Sequence, residues 1–136
     1  MNSRVRIAAA AAAVVVCGTF SLSDACADEP PKVQRSIVLK EDIAVPDHEG
    51  VMAKVEIPPG ATEGRHTHPA DAFIFVLEGA VEQEIAGKPT VTLKAGDVVH
   101  IPANTVHVAT NNGSMPARFA VVFVAEKGKP LTTPVK

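Results

Sequence analysis

The sequence contains no tryptophan and no tyrosine, so phenylalanine is its one large hydrophobic aromatic residue. A sugar-binding platform built on tryptophan is therefore excluded. Any ring stacking on a ligand must come from phenylalanine or histidine, which argues against a large flavonoid-like substrate.

Long hydrophobic runs are scarce, and the one that stands out lies near the N-terminus. Arg4 and Arg6 precede the apolar run 7–17. Ala25 and Ala27 then place small residues at the two positions that determine signal-peptide cleavage. This layout predicts a secretory signal peptide over residues 1–27 and a secreted protein, with the periplasm as the expected compartment. The run is well short of the roughly 20 residues that span a bilayer. A short membrane anchor and a lipid-modified cysteine are the alternatives.

Cysteine is also scarce, and both cysteines lie in the predicted signal peptide. Cleavage after Ala27 would remove Cys17 and Cys26 and leave residues 28–136 without a thiol. Disulfides, a cysteine nucleophile and thiolate metal ligands are then excluded from the mature part.

No cluster of basic residues exists in a chain whose formal net charge is −2, so nucleic acid is not an expected partner. No apolar run after the predicted signal is long enough to cross a membrane. The length of residues 28–136 fits one domain with one core.

Short valine-rich segments separated by glycine and proline make up the rest of the chain, and none shows a persuasive helical period. This pattern favours an all-β sandwich or small barrel. The predicted strands are residues 36–45, 51–57, 73–77, 80–86, 90–93, 98–101, 105–110 and 118–125.

Three histidines are the candidate functional residues. His66 and His68 are two residues apart, so on a strand both imidazoles would face the same side. His107 comes from a different predicted strand and could complete a three-ligand site with open positions, which is the catalytic type of metal site. A lone His-x-His pair is common on surface strands, so the prediction depends on the later histidine segment.

The spacing around the first pair resembles the first motif of the cupin superfamily, G-x5-H-x-H-x3,4-E-x6-G. Gly60, His66, His68 and Gly79 all fall in place.

A second cupin motif, G-x5-P-x-G-x2-H-x3-N, is similar to Gly96, Pro102, His107 and Asn111, with Asn104 in place of its second glycine. Asparagine tolerates the positive φ that such a turn can need. The resemblance extends over a core of about residues 41–125 and is nearest to small cupins that resemble quercetin dioxygenase. It implies a double-stranded β-helix barrel of jelly-roll type.

The cupin glutamate ligand would fall at position 72, which is alanine here. Asp71 would face the other way on a regular strand and could turn inward only at a bulge. His100 could line the pocket as an additional ligand or a supporting partner. The expected site is therefore His66, His68 and His107, with Asp71 and His100 as possible additions.

Phe73, Phe75 and Leu77 share the face opposite Ala72, Ile74 and Val76, which are the candidates for the barrel interior. The three large side chains would then need cover from another element or another subunit. We predict a homodimer.

The resemblance implies a divalent metal ion, with Fe(II) favoured and Mn, Zn, Ni or Cu as alternatives. The expected function is a secreted or periplasmic metal-binding cupin, a dioxygenase-like enzyme acting on a small organic substrate. A non-catalytic cupin that binds a small molecule or metal, such as a sensor or carrier, is the alternative, and an empty structural barrel is a third. No separate general base or nucleophile can be named.

Overall fold

Ten antiparallel strands make up the regular structure of the computed structural model, which describes residues 29–136. The predicted signal peptide, residues 1–27, lies outside the described residues. The strands are β1 (Gln34–Asp42), β2 (His48–Ile57), β3 (His66–Thr67), β4 (Ala70–Glu78), β5 (Ala80–Ile85), β6 (Val91–Lys94), β7 (Val98–Ile101), β8 (His107–Thr110), β9 (Ala117–Glu126) and β10 (Thr133–Pro134).

The strands form two five-stranded sheets in the orders β1-β2-β9-β4-β7 and β10-β3-β8-β5-β6. Buried valine, isoleucine, alanine and phenylalanine side chains from both sheets meet in one core. The predicted all-β double-stranded β-helix is thereby confirmed. The described part of the chain contains no helix that could span a membrane.

Strand β4 shows the predicted alternation of its side chains. Ala72 and Val76 are both 0% exposed, whereas Phe73, Phe75 and Leu77 are each nearly half exposed. The first set faces the core because successive side chains of a strand point to opposite faces. The phenylalanines of β4 therefore lie on the outer surface, as predicted.

The regular structure extends beyond the predicted core of residues 41–125 at both ends. Strand β1 begins at Gln34, and the C-terminal segment forms β10, in which Thr133 pairs with Thr67 of β3. The segment 128–136 lies beyond the last predicted strand. Its residues Thr133–Pro134 form an edge strand of the sheet that contains the histidine segment.

The turn before β8 connects the two histidine segments. Asn104 has a φ of 62°, so the left-handed conformation expected for this replacement of glycine is present. Its backbone N–H donates to the carbonyl oxygen of His68 at 2.7 Å.

Asn111 is fully buried, and its side-chain amide donates to the Ile57 and Met115 carbonyls. The asparagine of the second motif is therefore a structural residue.

Candidate metal centre

The three predicted histidines meet between the two sheets, and we call them the inner triad. His66 pairs directly with His107 across β3 and β8, and His68 follows β3 by one residue. All three side chains are buried. The ring centroids lie 4.2 to 4.9 Å apart, and one potential ligand atom from each residue lies within 4.8 Å of the others.

Each ring of the inner triad is oriented by the backbone through its Nδ1 atom. His66 Nδ1 lies 2.8 Å from the Gly64 carbonyl oxygen, and His107 Nδ1 lies 2.9 Å from the Thr105 carbonyl oxygen.

His68 has the same arrangement, with 2.6 Å between its Nδ1 and the Leu131 carbonyl oxygen. A carbonyl can only accept, so in a neutral imidazole Nδ1 carries the proton and Nε2 carries the lone pair. The whole inner triad thus has the tautomer in which Nε2 is free to bind a metal, with the second nitrogen held as in metal-bound histidines.

Burial keeps two of these imidazoles neutral. It lowers the pKa of His68 and of His107 from 6.5 to about 4, against the opposing effect of the carbonyls that accept from Nδ1. The neighbouring histidines lower both pKa values further. Neutral imidazole is the form that ligates metal, so these two rings are ready for an ion at neutral pH.

A cavity of about 310 Å³ opens beside the inner triad. Most of its wall is apolar and comes from both sheets, and the Phe123 ring packs edge-on against His68 with 4.8 Å between centroids. The polar side chains that line it, apart from the histidines, are Arg35, Ser36, Glu63, Gln83 and Thr132.

Asp71 and His100 do not join the inner triad. They pair with each other on the outer face of β4 and β7, with 2.7 Å between Asp71 Oδ1 and His100 Nε2, and both side chains are nearly half exposed. The His100 ring stacks on Phe73 at 4.7 Å, with an interplanar angle of 13°. We call these two residues the outer pair. The alternation of side chains along a strand explains their position. Asp71 pairs regularly with Val124, so no bulge turns its side chain inward.

Ala72 faces the interior and contributes no carboxylate. Within residues 29–136, the inner triad is the one cluster of three or more histidine, cysteine or acidic side chains whose ligand atoms converge in this way. The candidate donor set is therefore three imidazole nitrogens. Such a set suits Fe, Mn, Ni, Cu or Zn in the divalent state.

Several residues of the site were missed from the sequence. Arg35 lies on the edge strand β1 and pairs with Glu63, with 3.0 Å between Nη2 and Oε1. Gln83 is buried on β5, and its apolar neighbours in the alternating pattern were a signal that it faces inward. The carbonyl of Leu131 comes from beyond the last predicted strand, and no side-chain pattern could have revealed it.

Comparison with known proteins agrees with this architecture. The sequence profile of the Cupin domain family matches residues 53–123, which are just over half of the chain. That stretch contains both histidine segments and most of the cavity wall. The chain belongs to the cupin domain family.

Individual relatives match only in part. Germin-like protein 1-1 of Oryza sativa subsp. japonica is 40% identical over 77 residues, which are 53% of this chain and 36% of the relative. The match thus spans about a third of the length of that protein.

Among solved structures, an uncharacterised conserved protein with a double-stranded β-helix domain from Klebsiella pneumoniae subsp. pneumoniae MGH 78578 is similar at a TM-score of 0.65 and 24% identity, over 79% of this chain and 88% of that one. The DMSP lyase DddQ from Ruegeria pomeroyi DSS-3 is similar at a TM-score of 0.64 and 22% identity, over 76% of this chain and 51% of that one. At these identities the similarity establishes the fold.

Proposed function

We propose that the protein is a metal-dependent cupin in which His66, His68 and His107 hold one divalent transition metal ion, with Fe(II) favoured. A small organic substrate binds in the adjoining cavity. The ion supplies Lewis-acid or redox chemistry at open positions, and a dioxygenase-like oxidation is the reaction class we favour.

One observation carries this proposal: the three histidines bring one ligand atom each within 4.8 Å of the others, and every Nδ1 already donates to a backbone carbonyl, so Nε2 is the nitrogen left to bind an ion. Clustered lone pairs repel one another and need a shared donor or a cation. No side-chain donor to any of the three Nε2 atoms exists among the described residues. A divalent cation satisfies all three at once.

The charge of the site favours an anionic substrate. Three neutral imidazoles leave the full charge of a divalent ion uncompensated, because Ala72 stands where a carboxylate ligand would offset part of it. Arg35 lines the same cavity, and one of its N–H groups is used by Glu63. The guanidinium presents five donors, so several are left for a carboxylate in the cavity.

A non-catalytic cupin that binds a metal or a small molecule is the second candidate. The described cavity wall favours it in one respect. Glu63 is the one carboxylate that lines the cavity, and it is engaged with Arg35. A sensor or carrier needs no general base, whereas many enzymes do.

Metal content is the test of the metal site. The protein is isolated from cells without a metal-affinity tag and its bound metals are measured beside the His66→Ala and His100→Ala variants. We expect about one equivalent of a transition metal in the wild type and in His100→Ala, and none in His66→Ala. Metal-free wild type that also fails to take up Fe(II), Mn(II) or Zn(II) would falsify the proposal.

Oxygen consumption then separates enzyme from binder. The Fe(II)-loaded protein is supplied with a panel of phenols and keto acids while dissolved oxygen is recorded. Uptake that depends on both a substrate and His66 supports the enzyme. Tight binding of a panel member without uptake supports the sensor or carrier.

We also propose a homodimer through the outer face of β4 and β7. Phe73, Phe75 and Val98 are 48%, 44% and 71% exposed there, which is costly in water for neighbouring large apolar side chains. Light scattering after gel filtration should give twice the chain mass at micromolar concentration. A Phe75→Lys variant should give the monomer mass, and a monomeric wild type would contradict the proposal.

Export remains part of the proposal. Cleavage after Ala27 would release a mature chain that begins at Asp28. Mass spectrometry of the protein from the periplasmic fraction should find that N-terminus. The uncleaved chain in the cytoplasm would contradict both export and the expected compartment.

A further inference from the structure

Gln83 is a buried polar residue in an otherwise apolar stretch of cavity wall. Its side chain lies on β5, where Ile85 pairs with His107 and Gln83 pairs with Ala109. Gln83 is therefore a diagonal neighbour of His107 on the same inward face, within reach of a shared ligand. It is 2% exposed and lines the same cavity as the inner triad.

The orientation of its carboxamide follows from two hydrogen bonds. Gln83 Nε2 donates to the Val108 carbonyl at 3.1 Å and to the Glu84 carbonyl at 3.3 Å. The flipped amide would place its own oxygen against these two carbonyl oxygens, which would repel it. The NH₂ group therefore faces the backbone, and Oε1 faces away from it.

Oε1 accepts no hydrogen bond from the described residues. Yet no fully buried side-chain nitrogen or oxygen of residues 29–136 lacks a partner, so Oε1 opens onto the cavity that Gln83 lines. An amide oxygen that faces a mostly apolar cavity costs free energy unless a ligand or water supplies a donor. The carboxamide is held against the wall by Nε2, so Oε1 is placed as a hydrogen-bond acceptor for a cavity ligand.

We propose that Gln83 is a specificity-determining residue, and that its Oε1 accepts a hydrogen bond from a hydroxyl group of the anion bound beside the inner triad. The substrate class is then a small hydroxylated organic acid. Arg35 attracts the carboxylate, and the apolar wall formed by residues such as Val121 and Phe119 takes the hydrocarbon part. The proposal rests on the proposed function, because it assumes an anion at the metal centre.

Lactate and propionate test this assignment, because they differ by one hydroxyl group and little in size. Protein loaded with Co(II) is titrated with each anion, and binding is followed by the visible absorption of the metal. The readout is the hydroxyl preference, defined as the dissociation constant of propionate divided by that of lactate. Chelation of the metal by lactate contributes equally to every variant, so only the change between variants is interpreted.

Gln83→Met keeps the volume of the side chain and removes the acceptor. We expect its hydroxyl preference to fall about five- to ten-fold below that of the wild type, the value of one neutral hydrogen bond. Gln34→Met, at the exposed glutamine of β1, is the matched control and should behave as wild type. Gln83→Leu repeats the measurement if the Met variant does not fold.

Two outcomes overturn the assignment. An unchanged preference in Gln83→Met means that water alone occupies Oε1. Co(II)-loaded wild type that binds neither anion removes the anionic substrate as well. Failure of the metal site itself is distinguishable, because Co(II) content is measured before any anion is added.

Discussion

The inner triad and the outer pair both contain histidine, yet the chemistry of their imidazoles differs. In the inner triad each Nδ1 donates to a backbone carbonyl, which leaves each Nε2 as the nitrogen that can bind an ion. In the outer pair, Nε2 of His100 is bound to Asp71 and its ring stacks on Phe73 in contact with solvent. A histidine becomes a candidate ligand when its second nitrogen is held by the backbone and its free nitrogen has nothing else to bind.

The largest expected effect comes from giving the interior the carboxylate that it lacks. Ala72→Glu should lower the free energy of unfolding of the metal-free protein by about 3 kcal/mol, because an unpaired charge would be buried. It should also tighten metal binding by about ten-fold or more. Thermal unfolding with and without Zn(II), and competition with a chelator, measure the two effects.

Ala72→Met is the control for this substitution, since it has similar length without charge. It should leave the metal affinity unchanged. An Ala72→Glu variant with wild-type metal affinity would show that position 72 does not point at the inner triad.

The next prediction concerns metal affinity alone and follows from removing the carbonyl that orients His68. A chain that ends at Pro130 lacks Leu131, so the His68 ring loses its Nδ1 acceptor. Metal affinity should fall about 10- to 100-fold, as for other partners of metal-bound histidines. A chain that ends at Thr132 keeps the carbonyl of Leu131 and loses β10. If both truncated chains lose affinity equally, the strand matters and the carbonyl does not.

Acid should affect the inner triad in a defined pH range. The pKa of His68 and of His107 is lowered to about 4 in the folded protein from the ordinary value of 6.5. Between these two values the unfolded chain binds protons that the folded chain does not. The contribution of these two groups to the free energy of unfolding of the metal-free protein should therefore be constant above about pH 6.5. It should fall as the pH is lowered towards 4.

Urea denaturation in the presence of a chelator, repeated at several pH values, measures this slope. A His107→Phe variant should lose part of it. A stability that rises on acidification over this range would contradict the assignment.

The smallest effect is expected at the outer pair. In the Phe75→Lys background, in which the proposed dimer face is free, Asp71→Ala and His100→Ala should each change the free energy of unfolding by no more than about 1 kcal/mol, because exposed ion pairs contribute little. Metal affinity should not change in either variant. A loss of metal in His100→Ala would mean that the contrast between the outer pair and the inner triad does not hold.

Much of the fold could be predicted because it depends on local alternation. Strand β7 has the predicted bounds, and the inward position of Ala72 follows from counting along β4. The left-handed Asn104 follows from the known tolerance of asparagine. Each of these features is determined by residues near in sequence, so periodicity and turn chemistry suffice.

The missed features depend on contacts between distant parts of the chain. Strand β3 has only two residues, too few for any alternation, and it exists because β8 and β10 pair with it on either side. Arg35 reaches the cavity from an edge strand with every residue exposed, which looks like ordinary surface. The contact of Leu131 with His68 involves a backbone carbonyl, which every residue possesses.

The two-residue strand β3 has a consequence for when the site can form. His66 pairs with His107, and Thr67 pairs with Thr133, so three segments far apart in sequence must meet before the rings converge. Contacts of such long sequence separation form slowly, because chain closure must come first. The unfolded chain should therefore bind a metal ion poorly. An ion that binds only after folding would raise the melting temperature as the metal concentration increases. Occupancy of this centre would then be a measure of complete folding.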